Sequence, residues 1–349
     1  MNKTLLYITA LIAAIASSLL AGCDDDISYA DNPRGNFEAL AEIIDSRYCF
    51  FREKNIDWKE ITDEYRNQVT DDMTDLELFL LCSEMLDRLE DGHVNLTSRF
   101  STSYYRKWWT DYPQDFNLRT LQQYYLNFDY FTTSGIIYKI LPGNIGYMYY
   151  PSFSSTVSPT GLDYILAILH DTDGLIIDIR DNGGGLLTNI DTFIGRFIDE
   201  EVPAGSICHK TGPGHDEFSR PYHFSYKPCE EGRIKYTGKR ICLLTNRSCY
   251  SAANTFAAVM KSLPGVTVIG ARTGGGGGLP FSSELPNGWG VRFSASPLYG
   301  PDGKITEFGV DPSPGFECHS PDDQLAQGHD VILERAINYL APEESKTTD

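Results

Sequence analysis

The sequence predicts an α/β core that follows a small helical N-terminal domain. Between residues 36 and 92, apolar residues recur at helical spacing, whereas from residue 143 onwards short apolar runs alternate with helical segments. Such alternation is typical of an α/β core with some parallel strand pairing. The chain has 349 residues, of which 41% are hydrophobic, and this is enough for a large buried core.

The helical domain is predicted over residues 36–97. Its first two helices are expected at 37–44 and at about 56–69, where apolar residues fall on one side of each helix. The third begins at Thr74, because Thr74 and Glu77 have the spacing of a capping box. These helices precede an aromatic-rich segment with no clear periodicity.

The aromatic-rich segment, 98–140, is expected to link the two regions or to cover the core, and the α/β core itself is predicted over 141–345. Residues 203–238 within it are expected to be mostly loop. Core strands are predicted at 145–150, 175–180, 241–244, 266–270 and 289–298, and core helices at 161–169, 251–263 and 331–340.

The N-terminal residues 1–22 have the pattern of a lipoprotein signal peptide. Lys3 precedes an apolar stretch, and the small residues after it end at Cys23, as in a bacterial lipobox. An ordinary signal peptide with a chance cysteine is the alternative. Residues 23–35 then form an acidic tether. We expect an exported outer-membrane lipoprotein that faces the periplasm or the cell surface and is held to the membrane by a lipid on Cys23.

The charge and the cysteine spacing exclude several other classes. The net charge is −19, from 48 acidic and 29 basic residues, and there is no dense Lys/Arg cluster, so nucleic acid is not an expected partner. No Cys/His spacing is typical of zinc, and we expect neither a metal nor an organic cofactor. Disulfide pairing stays open, with Cys208–Cys229 and Cys49–Cys82 as the possible pairs.

Ser251 is the first candidate for chemistry. It opens a predicted helix directly after a buried strand and a short polar loop. The free N–H groups and the positive dipole end of a helix N-terminus favour an oxyanion beside such a serine. A serine at a helix start is more often an N-cap alone.

Further candidates are His93, Glu307 and the glycines that follow the strand at 175–180. Gly183 and Gly184 could turn their N–H groups towards a ligand oxygen, although a tight turn is the simpler interpretation. His93 follows a predicted helix end, and imidazole exchanges protons near neutral pH. Glu307 precedes a turn and could be a buried carboxylate, or one of the many surface acids.

Five motifs occur in an order that resembles one family. They are Asp-Gly-His at 91–93, Asp-x-Arg-x-Asn-x-Gly-Gly at 178–185, Ser-Ala-Ala at 251–253, Gly-x-x-Thr-x-Gly at 270–275 and Glu-x-Gly-Val-x-Pro at 307–312. In this order they resemble the serine peptidases that include the carboxy-terminal (tail-specific) processing proteases and the tricorn core protease. The resemblance extends over nearly the whole chain after the tether.

This resemblance implies a crotonase/Clp-protease-like ββα core and a set of site residues. They are Ser251 as nucleophile, His93 as general base, Glu307 as the group that orients it, and Gly184 or Gly183 with Ala252 as oxyanion donors. The processing proteases use a lysine base where this chain has Gly276. The chain is therefore more similar to the tricorn-like branch, although Gly92 replaces the serine that in that branch links the histidine to the glutamate.

The predicted function is that of a serine endopeptidase that forms an acyl-enzyme on Ser251 and acts on peptides or unfolded protein. Too few residues separate His93 from the first core strand for the PDZ module of the family. The alternative is a catalytically impaired lipoprotein that binds a peptide, a glycan or an apolar ligand. An esterase is a third possibility, although the Gly-x-Ser-x-Gly elbow is absent.

Overall fold

The structure is a computed structural model that describes residues 29–341. The predicted signal peptide and Cys23 lie outside the described residues. Among the helices of residues 29–341, none is both long and apolar enough to cross a membrane. The seven cysteines of this part of the chain are all free thiols, so neither of the two possible disulfides is formed.

The helices divide into an N-terminal group and those of the core. They are α1 (Pro33–Arg47), α2 (Trp58–Arg66), α3 (Asp75–Asp87), α4 (Lys107–Thr110), α5 (Leu118–Thr120), α6 (Pro159–Leu169), α7 (Thr188–Ile194), α8 (Ala252–Ser262), α9 (Asp322–Gln327) and α10 (Val331–Leu340), with a π-helical turn at Leu121–Tyr125. The capping box predicted for α3 is confirmed, since Thr74 and Glu77 bond to each other's backbone N–H.

The strands form two sheets. They are β1 (Asn95–Thr97), β2 (Phe131–Thr133), β3 (Ile136–Leu141), β4 (Ile145–Tyr149), β5 (Gly174–Asp178), β6 (Val202–Ile207), β7 (Tyr222–Tyr226), β8 (Arg240–Thr245), β9 (Val266–Gly270), β10 (Gly278–Glu284) and β11 (Gly290–Tyr299). One sheet has the order β2-β3-β4-β5-β8-β9, and its last four strands are parallel. The other is antiparallel, with the order β1-β11-β6-β7 and β10 paired to β11. The predicted α/β fold is thus confirmed.

The predicted loops contain strands that the sequence analysis missed. The aromatic-rich segment includes β2 and β3, and the stretch 203–238 includes β6 and β7. Every side chain of β7 before its last residue is exposed or half-buried, and β6 has a register shift between Pro203 and Gly205. Neither strand therefore has the continuous apolar run of a buried strand or the regular alternation of a half-buried one.

The helical domain shares a hydrophobic core with β11. Phe37 of α1 and Trp58 of α2 are buried in one cluster with Val291 and Phe293 of that strand. The parallel sheet has separate clusters, with α6, α7 and α8 on one face and α10 on the other. The loop after α3, which carries His93, is thereby held against the α/β core.

Arg180 connects the carboxyl end of β5 to the helix α10 through ion pairs. Its buried guanidinium pairs with Asp178 at 2.6 Å and with Asp330 at 2.8 Å. Asp330 also caps α10, because its side chain accepts from the N–H of Leu333. Removing only the cation from such a fully buried ion cluster is costly, because the two carboxylates then stay buried without a counterion.

We therefore expect Arg180→Met to lower the free energy of unfolding by about 3–5 kcal/mol, since Asp178 and Asp330 would stay buried without their cation. Urea denaturation followed by tryptophan fluorescence measures the loss. Arg34→Met is the matched control, because the Arg34–Asp71 pair is exposed and should leave the midpoint unchanged. Equal midpoints for the two variants would contradict the assignment.

Candidate active site

His93 and Ser251 meet although they are 158 residues apart in the sequence. The Nε2 atom of His93 lies 3.1 Å from the Oγ atom of Ser251, within hydrogen-bond distance. His93 comes from the loop after α3, and Ser251 directly precedes α8. The nucleophile and the base of the predicted site are therefore within reach of each other.

The backbone at Ser251 is strained. Its φ of +56° and ψ of −119° lie in a region that residues with a side chain rarely adopt. The N–H of Ser251 donates to the carbonyl of Gly275 at 2.8 Å, which holds this turn in place. Ser251 makes no N-cap hydrogen bond with its side chain, so the simple capping interpretation does not apply.

Of the three predicted oxyanion donors, Gly184 is already engaged. Its N–H donates to Oδ1 of Asn182 at 3.0 Å. Within residues 29–341, the N–H groups of Gly183 and Ala252 make no hydrogen bond. A Cβ at Gly184 would lie 2.8 Å from both the nitrogen of Ala252 and the Cβ of Ser251, so the glycine loop passes directly beside the nucleophile. Gly183 and Ala252 remain as available donors.

Glu307 does not contact His93. Its carboxylate is buried and pairs with Nζ of Lys54 at 2.8 Å, while its other oxygen accepts from the N–H of Gly277 at 2.9 Å. The Nδ1 atom of His93 has no side-chain hydrogen-bond partner among the described residues, while the backbone of Gly278 raises the pKa of the imidazole. The direct contact that would orient the imidazole is thus missing, because Lys54 and Gly277 hold Glu307 in its present position.

Asp91 is the buried carboxylate closest in sequence to the base. It accepts from the backbone N–H of His93 at 2.8 Å, from Ser294 at 2.8 Å and from Tyr48 at 3.1 Å. Nζ of Lys54 lies 3.9 Å from it. Burial alone would raise the pKa of Asp91, but Lys54, His93 and the hydrogen bonds lower it overall. Asp91 is therefore ionised and fixes the backbone of the base.

Burial controls the protonation of both His93 and Glu307. It lowers the pKa of His93 to about 4, and Arg292 and Lys54 act in the same direction against Asp91. Burial and the nearby Asp91 raise the pKa of Glu307 to about 7, while Lys54 opposes the shift. The imidazole is therefore neutral at physiological pH and able to accept a proton.

Two aromatic rings fill the space beside Gly92 and Gly276. A Cβ at Gly92 would lie 2.5 Å from Nε1 of Trp108, and a Cβ at Gly276 would lie 2.5 Å from the ring of Tyr250. Trp108 stacks on Tyr250 with ring centroids 4.1 Å apart. Neither a linking serine nor a lysine base fits at these positions unless the rings move.

A cleft of about 520 Å³ opens over Ser251 and His93. Its walls come from the glycine loop after β5, the aromatic segment before α4, and Arg292 of β11. Within residues 29–341, no group of His, Cys, Asp and Glu side chains has the arrangement of a metal site. The cleft is large enough for a few residues of a peptide.

The sequence analysis missed Lys54, Tyr48, Ser294 and Trp108. No motif marks Lys54, which lies just after α1 in a region expected to be helical. Only Asp91 carried a signal, because it belongs to the Asp-Gly-His motif.

Lys54→Met should lower the free energy of unfolding by about 3–5 kcal/mol at neutral pH, because Asp91 and Glu307 would lose the cation that they share. The double variant Lys54→Met/Glu307→Gln should recover part of this loss, since one of the two carboxylates is then neutral. Urea denaturation measures both. Lys59→Met, which breaks the exposed pair with Asp63, is the control and should have no measurable effect. A single variant as stable as this control would contradict the assigned role of Lys54.

Comparisons with known proteins show which family the chain belongs to. A candidate peptidase from Parabacteroides merdae of known crystal structure is 43% identical, covers 92% of this chain and 100% of its own, and superposes with a TM-score of 0.85. Mature CPAF in complex with lactacystin is 12% identical over 89% of this chain and 97% of its own, with a TM-score of 0.67, which shows a shared fold alone.

The carboxy-terminal processing protease CtpB of Bacillus subtilis is 22% identical over 180 residues, which are 50% of this chain and 34% of that protease. The first curated relatives are matched over only 10% to 34% of their own lengths. The model of peptidase family S41 matches residues 144–313, and that of the tricorn protease C1 domain matches residues 29–87. The resemblance inferred from the motifs is thereby confirmed, and the chain belongs to peptidase family S41.

Proposed function

We propose that the chain is a serine-type endopeptidase that cleaves peptide bonds through an acyl-enzyme on Ser251, with His93 as general base. The observation that carries this proposal is the 3.1 Å approach of His93 Nε2 to the Oγ of Ser251. The neutral imidazole, the strained turn at Ser251 and the two available N–H groups beside it support the same conclusion.

In the acylation step, the Oγ atom of Ser251 attacks the carbonyl carbon of the peptide bond while its proton passes to Nε2 of His93. The carbonyl oxygen becomes an oxyanion and accepts hydrogen bonds from the N–H groups of Gly183 and Ala252. His93 then gives its proton to the leaving amine as the C–N bond breaks. A water molecule, deprotonated by His93, hydrolyses the ester and restores Ser251.

The imidazolium formed in this step needs a negative field, and Asp91 supplies it. The charge of Asp91 raises the pKa of His93 and so partly offsets the effect of burial. Glu307 instead binds Lys54 and the backbone N–H of Gly277. Glu307 is thus a positioning residue for the loops around the site.

The proposed substrates are peptides or unfolded protein, which can enter an open cleft in extended form. We also propose that a lipid on Cys23 anchors the chain to the outer membrane after export. The Leu-Ala-Gly-Cys pattern at residues 20–23 supports this placement.

Ser251→Ala should abolish hydrolysis of an unfolded protein while the fold stays intact, because the attacking oxygen is removed. Mass spectrometry of the released fragments and circular dichroism measure the two properties. Ser248→Ala is the matched control, since that hydroxyl lies three residues earlier in the same loop and should be dispensable. Full activity of Ser251→Ala with loss in Ser248→Ala would move the nucleophile to Ser248.

The second candidate function is a catalytically impaired binding module for a peptide, a glycan or an apolar ligand. The lack of a side-chain partner for Nδ1 of His93 and the engagement of Glu307 by Lys54 favour it. A fluorophosphonate probe separates the two functions: labelling of the wild type but not of Ser251→Ala supports the peptidase. An unlabelled wild type that still binds unfolded protein supports the binding module.

The value of kcat/KM should fall on the acid side only near pH 4, which is well below the pKa of an ordinary histidine. The base must be neutral to act, and burial lowers the pKa of His93 to about 4, so the rate falls only below that pH. The profile is measured with a fluorogenic peptide, and tryptophan fluorescence monitors the folded fraction at each pH. A fall in kcat/KM near pH 7 that is absent from Glu307→Gln would assign the pH dependence to Glu307 instead.

A further inference from the structure

The charge of the cleft is opposite to the charge of the chain. The net charge is −19, yet the residues that line the cleft over Ser251 include two arginines, Arg106 and Arg292, and no aspartate or glutamate. Positive charge concentrated in a concave site attracts anionic ligands. The cleft therefore differs from the surrounding surface in the charge of the ligand it favours.

Arg292 is held by β11 on the side of the catalytic residues. Because alternate residues of a strand share a face, Arg292 lies on the same side as Ser294, whose hydroxyl donates to Asp91 beneath the base. Arg292 also lowers the pKa of His93, which shows that its charge acts on the reacting groups. Its position is thus fixed by a sheet and not by a loop.

Arg292 has no carboxylate partner among residues 29–341. Its guanidinium is half-buried, and its one hydrogen bond is a long contact of 3.4 Å to Oδ1 of Asn95. In contrast, the buried Arg180 and Arg196 each pair with aspartates. A partly desolvated guanidinium with free donors favours a planar, bidentate anion such as a carboxylate.

Arg106 provides a second cation at the rim of the same cleft. It is exposed and lies over the ring of Tyr104, 5.7 Å from the ring centroid. No ion pair joins it to the acidic residues of the described chain. The two arginines therefore come from separate elements, β11 and the segment before α4, and both line the cleft over the nucleophile.

We propose that Arg292, assisted by Arg106, binds a carboxylate of the substrate beside the scissile bond, so that the enzyme selects anionic peptides. This rests on the proposed peptidase function and names its substrate class. The carboxylate is that of an acidic side chain, and a preference for the free C-terminus alone is the competing outcome of the test. Both carboxylates have the same planar geometry, and the two sources are separated by experiment.

The test uses four versions of one designed, extended peptide, so that binding can be measured whether or not the wild type cleaves it. They carry Glu or Gln at one central position, and each has a free or an amidated C-terminus. The wild type should cleave the two Glu versions with a kcat/KM about 10- to 100-fold higher than that of the matching Gln versions, as expected for a charge-assisted hydrogen bond. A preference that follows the free C-terminus alone, with Glu and Gln versions cleaved equally, would overturn the inference.

Arg292→Gln should remove the preference for Glu mainly through KM, whereas the rate on the uncharged peptide should change much less. A general effect on His93 would lower all four rates together and leave their ratio unchanged. Arg292→Glu should favour a Lys-containing peptide instead. Arg99→Gln, which alters an exposed arginine paired with Asp75, is the matched control and should keep the wild-type ratio.

Fluorescence titration of the Ser251→Ala variant with the same peptides makes the test independent of turnover. Tighter binding of the Glu versions, lost in Ser251→Ala/Arg292→Gln, supports the inference even where the wild type cleaves nothing and the proposed function fails. Cleavage of all four peptides at equal kcat/KM would overturn the inference while the peptidase function stands. Equal binding of all four to Ser251→Ala would likewise overturn it.

Discussion

The rest of the site depends on the hydrogen bonds that the buried carboxylate of Asp91 accepts. It accepts hydrogen bonds from Tyr48 at the end of α1, from Ser294 on β11 and from the backbone of His93. These donors belong to the helical domain, to the antiparallel sheet and to the loop of the base. One ion therefore joins the separate elements that place His93 against Ser251, and its burial is tolerable because each contact offsets part of the desolvation cost.

The sequence predicted most accurately the elements whose bounds depend on neighbouring residues. The buried strand β9 and the helix α10 have the predicted bounds, and α3 begins at its predicted cap, because continuous apolar runs and capping residues act locally. The strands β2, β3, β6 and β7 were missed: β2 has only three residues, β7 is largely exposed, and β6 has a register shift and pairs with β11, which lies far away in the chain. The motifs located Ser251 and His93, whereas the partner of Glu307 is decided by tertiary packing around Lys54.

The two glycines at which the sequence departs from the pattern that the resemblance implies, Gly92 and Gly276, pack against one aromatic stack. Gly276 has a φ of +77°, and the Tyr250 ring lies over it where a lysine side chain would begin. Trp108 stacks on that ring and in turn closes the space above Gly92. The aromatic stack thus occupies the space that a side chain at either position would need.

The pKa of Lys54 argues against this lysine as the general base. Burial would lower the pKa of Lys54, but Asp91 and Glu307 raise it above its usual value. A lysine base requires the opposite shift, because it must be neutral when the nucleophile loses its proton. His93 has that shift and already lies 3.1 Å from Ser251. Lys54 is therefore the counterion that makes two buried carboxylates tolerable, and the proton from Ser251 has His93 as its acceptor in the proposed mechanism.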